Sequence, residues 1–359
     1  MSVLKKVLKI VLIALLVLII VVGSYVAYVF IAYHRLGDAD LTPKTGGAGA
    51  AKIGTEYNIV TYNIGFVAYE DDYGFFMDGG TQSRAWSKER LDANLKNINN
   101  LLVNQNADLY FLQEVDFNST RTYGVDEREY FTFEKKSSVF AQNYDSPYLF
   151  YPVLNPHGAS KSGIMTFSDF AISSAKRVEL PVETGFMKLL DLDRCYSKSR
   201  VATEDGKELV LYNFHLSAYT SDGTIAADQL EMILKDIDDE YQKGNYCIAG
   251  GDFNKDLLGD SSKYFGISGE DYTWAKPIPA GTLEKHSVSL VAAIDKDNPV
   301  PTCRNADGPY NDKQYVITID GFLITPNVSL VKAEVIDTRF KYSDHNPVKM
   351  AFKLGDKKN

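Results

Sequence analysis

The sequence predicts one α/β domain carried behind a single N-terminal transmembrane helix. Three observations lead there. The run Ile10–Tyr33 holds 24 residues without a charge, and about 20 such residues cross the hydrocarbon core of a bilayer. From Ile53 onward, short β-rich runs alternate with amphipathic helices, the pattern of an α/β fold. No Pro/Gly-rich linker divides Ile53–Leu354, so this stretch reads as one domain rather than two.

Taken in order, Lys5, Lys6 and Lys9 precede the apolar run, and only Arg35 follows closely, beside Asp38 and Asp40. The positive-inside bias puts residues 1–9 in the cytoplasm and everything after Tyr33 outside. A cleaved signal peptide has an apolar region of about 7–15 residues. This run is longer, and Ser24-Tyr25-Val26-Ala27-Tyr28 is a poor cleavage site, so residues 10–33 read as an uncleaved signal-anchor. Between Gly37 and Lys52 the composition turns to Gly, Ala, Thr and Pro, and residues 34–52 read as a flexible tether. Tyr57–Asn63 alternates as a strand, and 87–104 reads as a helix with Leu91, Leu95, Ile98, Leu101 and Leu102 at three- and four-residue spacing. Glu70–Trp86, rich in Asp, Gly and aromatics, is a long loop near the first strand's end. Ala107–Leu112 is a buried strand ending at Gln113-Glu114, and 208–216 is another. Ile225–Gln242 is a helix stopped by Gly244. Tyr246–Gly250 is a strand running into Gly251-Asp252-Phe253-Asn254, and further strands lie near Tyr315–Thr325 and Val348–Leu354. The domain therefore covers 53–355, with 356–359 as a tail.

Composition narrows the function. Of 359 residues, 38 are basic and 47 acidic, a net charge of −9. Four basic and two acidic residues fall within the first 40, leaving −11 for the remainder. That excludes a generally basic, nucleic-acid-coating surface, though not a local basic cleft. Cys195, Cys247 and Cys303 are too few and too scattered for a disulfide scaffold or a zinc cluster. The sequence carries no serine nucleophile elbow, Walker loop, Rossmann fingerprint or HExxH helix.

Chemistry-bearing residues gather where strands stop: Asn63, Glu114, Asn213 with His215, Asp252 with Asn254, Asp320, and Asp344 with His345. A strand end is rigid, yet its side chain can project into a cleft. Carboxylates and carboxamides are hard oxygen donors that suit Mg²⁺, Mn²⁺ or Ca²⁺.

Six fragments carry a resemblance: Thr61-Tyr62-Asn63, Leu112-Gln113-Glu114-Val115, Asn213-Phe214-His215-Leu216, Gly251-Asp252-Phe253-Asn254, Ile319-Asp320-Gly321-Phe322, and Ser343-Asp344-His345-Asn346-Pro347-Val348. In this order and spacing they resemble the endonuclease/exonuclease/phosphatase superfamily, which includes deoxyribonucleases, abasic-site endonucleases, neutral sphingomyelinases and inositol-polyphosphate 5-phosphatases. The resemblance implies a four-layer α/β sandwich, two packed sheets with helices outside. It implies a metal shell of Glu114 with Asn63 and Asp344. Asp252 and Asn254 would orient the attacking water or the scissile phosphate, His345 would pair with Asp320, and His215 would contact phosphate. Asn213, and by a looser alignment Arg194, would bind substrate. The general base is left open between Asp252 and His345. The 5-phosphatase signature is not reproduced, since Pro301-Thr302-Cys303-Arg304 is far from Asp320 in sequence, and Thr318-Ile319 stands where the family commonly has an arginine.

The expected function is a membrane-anchored, extracytoplasmic, divalent-metal-dependent phosphoesterase. Its substrate would be a lipid head group or another phosphodiester, its membrane partner the bilayer reached through the N-terminal helix, and no protein partner is evident. An extracellular nuclease is the alternative within this class, and a catalytically silent scaffold on the same fold is the alternative outside it.

Overall fold

The computed structural model describes residues 3–131, 133, 135–182, 193–218, 224–272 and 275–355. The tail expected at 356–359 lies outside the described residues, as do the first two residues of the N-terminus. Helix α1 (Val3–Ala32) is long and apolar enough to cross a membrane by length and composition, and of its residues only Val29 is buried.

Two mixed sheets pack face to face. The first has the order β1 (Ala39–Leu41), β6 (Ile172–Glu179), β7 (Cys195–Ala202), β8 (Glu208–His215), β9 (Tyr246–Asp252), β13 (Asp320–Ile324) and β10 (Ser289–Val291). The second has the order β14 (Val328–Val335), β15 (Val348–Leu354), β2 (Glu56–Asn63), β3 (Leu109–Asp116), β5 (Lys161–Ser168) and β4 (Ser137–Asp145). A small ribbon, β11 (Cys303–Arg304) with β12 (Val316–Ile317), stands apart.

Each sheet is built on one parallel pair, β2 with β3 and β8 with β9. Parallel neighbours need a crossover, usually helical, and the two long amphipathic segments supply it. Helix α2 (Lys88–Gln105) links β2 to β3, and α3 (Thr224–Gln242) links β8 to β9. The Ser87 hydroxyl caps α2 by accepting from the Arg90 N–H at 3.2 Å, and the helix ends on Asn106 at φ +45°. Its Leu91, Leu95, Ile98 and Leu102 pack on Tyr62, Tyr110 and Leu112. Likewise Leu230, Ile233, Leu234 and Ile237 of α3 pack on Val210, Tyr212 and Phe214. The opposite strand faces meet between the sheets, where Ile59, Leu109, Phe111, Leu209, Leu211, Ile248, Phe322, Met350 and Phe352 form the central core. Strand residues alternate faces with period two, so α2, second sheet, first sheet and α3 stack as four layers.

The structure corrects the expected tether at 34–52. Ala39–Leu41 adds an edge strand beside β6, Arg177 donates to the Leu36 and Gly37 carbonyls at 2.8 and 2.7 Å, and Lys44 and Ala51 bridge to Ser138 and Thr203. Two of the glycines that suggest flexibility, Gly46 and Gly47, serve close packing: a Cβ on Gly47 would lie 2.4 Å from the Phe170 carbonyl oxygen. The strand expected over Tyr315–Thr325 is two strands, interrupted where the Thr302 hydroxyl accepts from the Ile319 and Asp320 N–H groups at 2.9 and 3.1 Å.

Gly251 shows how tightly the parallel pair is built. Its φ is +142°, and a Cβ there would sit 1.9 Å from the Phe214 carbonyl oxygen on the neighbouring strand. Gly251→Ala should therefore destabilise the domain by at least about 2 kcal/mol. Urea denaturation of the solubilised chain, followed by intrinsic fluorescence, reads this directly, and an unchanged midpoint would contradict it.

Candidate active site

The inner-face rows of the two parallel pairs begin apolar and end polar. On β2 the row runs Tyr57, Ile59, Thr61, Asn63; on β8 it runs Leu209, Leu211, Asn213, His215; on β9 it ends at Asp252. Because β2, β3, β8 and β9 finish at the same end of the sandwich, their last residues meet at one place.

Glu114 arrives there by a bulge. The β3–β5 register shifts between Leu112 and Val115, and Glu114 takes φ +55°. The bulge sends both Leu112 and Val115 to the α2 side and turns Glu114 toward the cleft. A left-handed conformation costs a non-glycine residue about 1–2 kcal/mol, and strain of this kind gathers at functional sites.

The Asn63 amide links the sheets. Its Nδ2 donates to Glu114 Oε1 at 3.2 Å and to Asp252 Oδ2 at 3.1 Å, while its Oδ1 accepts the Gly65 N–H at 3.0 Å. Asp252 Oδ2 also lies 3.4 Å from His215 Nε2 and 3.7 Å from His345 Nε2. Its other oxygen closes an Asx turn on the Asn254 N–H at 2.8 Å, and Asn254 donates to the Leu216 carbonyl at 2.8 Å. Asp320, paired with Asp252 in the β9–β13 register, binds His345 Nδ1 at 2.8 Å. The Ser343 hydroxyl donates to the Asn63 carbonyl at 2.9 Å and lies 3.2 Å from Asp344 Oδ1. Arg194 donates to the His215 carbonyl at 3.2 Å.

Burial sets the charges. For His345 it opposes ionisation, but Asp320 and Asp344 outweigh it and hold the imidazole protonated well above its ordinary range. His215 goes the other way: burial, with Arg194 and His345 nearby, drives it well below. Burial pushes Asp252 up to about 7, against the pull of His345 and with the help of Asp320. Glu114 rises through burial and then through Asp344, and Asp344 rises through burial. The two imidazoles, one charged and one neutral, thus flank a single carboxylate.

A cavity of about 230 Å³ opens over this cluster. It is lined by the polar Glu114, Asp252, Asn254, Asp344, His215, His345 and Arg194 and by the apolar or aromatic Phe66, Tyr69, Phe75, Tyr144 and Met77. Asn213, expected to bind substrate, is fully buried between the sheets and does not line the cavity: it accepts from Gln113 at 2.8 Å and donates to the Met165 carbonyl at 2.8 Å. The segment Pro301–Arg304, remote in sequence, is adjacent in space. Cys303 bridges to His345, and Thr302 receives the Asp320 N–H.

Sequence reasoning missed Arg121 and His157, which both line the cavity. Arg121 grips Asp116 with two hydrogen bonds of 2.8 and 2.7 Å and lies 3.7 Å over the Phe66 ring. Asp116, two residues past Glu114, was the available signal, since a buried carboxylate needs a cationic partner. Burial lowers His157 to about 4, and its Nδ1 bonds the Ser83 carbonyl at 2.9 Å.

Among the described residues, two groups could hold a divalent cation. Donor atoms of Asp252, Asp320 and His345 lie within 4.8 Å of one another, but Asp320 and His345 already bind each other. Glu114 and Asp344 offer hard carboxylate oxygens to the cavity, and the buried His215 Nδ1, with no hydrogen-bond partner, lies 4.0 Å from Glu114 Oε1. The two carboxylates fit a hard cation. Asn63, expected as a ligand, turns its nitrogen rather than its oxygen toward Glu114 and here orients that carboxylate.

The model of the Endonuclease/Exonuclease/phosphatase family matches residues 60–345. Among solved structures, an endonuclease/exonuclease/phosphatase from Beutenbergia cavernae DSM 12333 superposes with a TM-score of 0.56 at 14% identity, covering 84% of this chain and 72% of that one. ANGEL2, described as a 2',3'-cyclic phosphatase, gives 0.55 at 16% identity over 88% and 99% of the two chains. The human Nocturnin catalytic domain gives 0.51 at 14% over 88% and 97%. These likenesses establish the fold. No curated protein sequence matches the chain.

If the Asn63 amide holds the two carboxylates together by donating to both, Asn63→Asp, of nearly the same shape, places a third acid against them and should lower stability by about 1–3 kcal/mol. Thermal unfolding at neutral pH without added metal measures this, and an unshifted Tm would remove the amide from that role.

Proposed function

Because the chain belongs to the endonuclease/exonuclease/phosphatase family, whose members are metal-dependent phosphoesterases and nucleases, we propose that it is a membrane-anchored hydrolase of phosphodiesters presented at the extracytoplasmic face of a bilayer. The observation that carries the reading is the convergence of Glu114, Asp252, His215, Asp344 and the Asp320–His345 pair on one cavity, at the shared end of both parallel strand pairs. The apolar α1, with Lys5, Lys6 and Lys9 before it, supports the anchor and its orientation.

Glu114 and Asp344 would hold the cation, which when bound supplies Lewis-acid stabilisation of a phosphoryl oxygen. The remaining steps belong to the chain's own groups. Arg194 and His215 face the scissile phosphate, and Asn254 fixes the turn that follows Asp252 at the end of β9. Asp252, between the two imidazoles, accepts the proton of the attacking water. His345 is fixed at Nδ1 by Asp320, so its Nε2–H faces the cavity, able to stabilise charge on the phosphoryl group or to protonate the leaving oxygen. Asn213 ties Gln113 to β5 behind the site and supports it from there.

The solubilised full-length chain should hydrolyse bis-p-nitrophenyl phosphate with Mg²⁺ or Mn²⁺ and stop in EDTA. Vesicles of sphingomyelin or phosphatidylcholine and plasmid DNA then divide the substrates: faster turnover of DNA would replace the lipid reading with a nuclease. Glu114→Gln should lower kcat by about 10²-fold or more, partly recovered by excess metal, and full activity of the wild type in EDTA would overturn the metal-centred reading.

His345→Ala should lower kcat by at least about 10²-fold. If His345 is the acid, a p-nitrophenyl ester, whose leaving group departs unprotonated, should lose much less than an alkyl ester. Equal losses on both esters would leave charge stabilisation as its role.

A further inference from the structure

The loop between β4 and β5 exposes large apolar side chains to an unusual degree. Phe150 is 53% exposed, Tyr151 67%, Val153 65% and Leu154 100%. A contiguous patch of this kind marks a surface that something covers.

The structure indicates what covers it. The Tyr25 hydroxyl of α1 donates to the Tyr148 carbonyl at 3.2 Å and accepts the Phe150 N–H at 2.9 Å, and the Tyr28 hydroxyl accepts the Tyr148 N–H at 3.1 Å. The Tyr25 and Phe150 rings meet edge to face at 6.5 Å. The loop is therefore fastened to α1 about 10 Å short of the helix end at Ala32, counting about 1.5 Å per residue. Whatever medium surrounds Tyr25 and Tyr28 also surrounds the loop. In a helix that crosses a bilayer, tyrosines this close to the exit lie at the boundary between acyl chains and head groups.

We infer that the Tyr148–Leu154 loop is a second membrane contact, inserting beside α1 into the head-group and acyl boundary of the leaflet where the catalytic domain sits. The inference rests on reading α1 as a membrane span. It deepens the proposed function, because the loop leads directly to the cavity. Tyr151 packs on Phe76 at 5.7 Å, Phe76 and Phe75 flank the His157 ring at 5.9 and 5.8 Å, and Phe75, Met77 and His157 line the cavity. Met77 is itself 50% exposed. A phosphodiester head group can pass from the leaflet to the carboxylates along this aromatic edge without its acyl chains leaving the membrane.

The test uses the full-length chain in phosphatidylcholine vesicles. Cys195, Cys247 and Cys303 are buried, so Leu154→Cys introduces an accessible thiol for an environment-sensitive fluorophore, and Lys96→Cys on the exposed face of α2 serves as the water-facing control. The label at 154 should be quenched by lipids carrying a nitroxide near the head group and should be about fivefold less accessible to iodide than the label at 96. Equal iodide accessibility at the two sites would overturn the inference, as would protection that depends on protein density rather than on lipid, which would assign the patch to a second copy of the chain. Alkaline carbonate extraction tests the anchor separately. Release of the chain defeats the span reading, whereas a retained chain with a water-exposed label defeats the loop alone. Val153→Asp combined with Leu154→Asp should lower turnover of vesicle sphingomyelin by about tenfold and leave bis-p-nitrophenyl phosphate hydrolysis unchanged. Equal losses on both substrates would show that the loop acts on the site and not on membrane access.

Discussion

The Asn63 amide holds a carboxylate from each sheet at once, and the geometry of the site follows from that contact. Glu114 comes from the second sheet and Asp252 from the first, and left alone the two would repel across the gap between the layers. Two N–H donors on one nitrogen draw them together, while the Gly65 N–H fixes the amide so that it cannot turn over and offer its oxygen. Because β2 also carries Ile59 into the central core, the amide is as immobile as the core itself. A site assembled from loops would have to spend binding free energy on order that is already present here.

The same strands do structural and chemical work in sequence. Apolar inner-face residues bring the sheets together over most of their length, and the last polar residue of each row meets its counterparts where the core ends. Behind them Gln113 and Asn213 bond across the sheets, so these two buried amides are paired where the dry core gives way to the cleft. The strain at Glu114 is tolerated because the bulge that causes it also returns Val115 to the α2 cluster.

This division explains what the sequence made legible. Period-two and helical apolar patterns placed β2, β8, β9, α2 and α3 within a residue or two, because each faces a core on at least one side. Of the residues in the six polar fragments, Glu114, His215, Asp252, Asn254, Asp344 and His345 line the cavity, because a site at strand ends leaves short signatures next to apolar runs. What depended on contacts between distant segments was hidden. Nothing local in Asn213 distinguishes a substrate ligand from a cross-sheet brace, and nothing in Gly46-Gly47 distinguishes a flexible hinge from a backbone packed against its neighbour. The approach of Thr302 and Cys303 to Asp320 and His345 depends on a two-stranded ribbon whose pairing spans about a dozen residues. The bulge at Glu114 shows only in the register of β3 against β5.

The docked segment after α1 leaves little slack between helix and domain. Only six residues separate Ala32 from Ala39, and among them Arg35 donates to the Leu180 carbonyl at 2.9 Å while Arg177 holds Leu36 and Gly37. With Tyr25 and Tyr28 bonded to the loop on the other side, helix and domain turn as one lever. In a bilayer, an apolar span longer than the hydrocarbon thickness relieves the mismatch by tilting. If α1 spans a bilayer as proposed, a tilt of the helix would become a tilt of the whole domain, and the angle at which the cavity meets the lipid surface would follow membrane thickness. Sterol content or acyl-chain length, acting on no residue of the site, would in this way adjust how readily a substrate is reached.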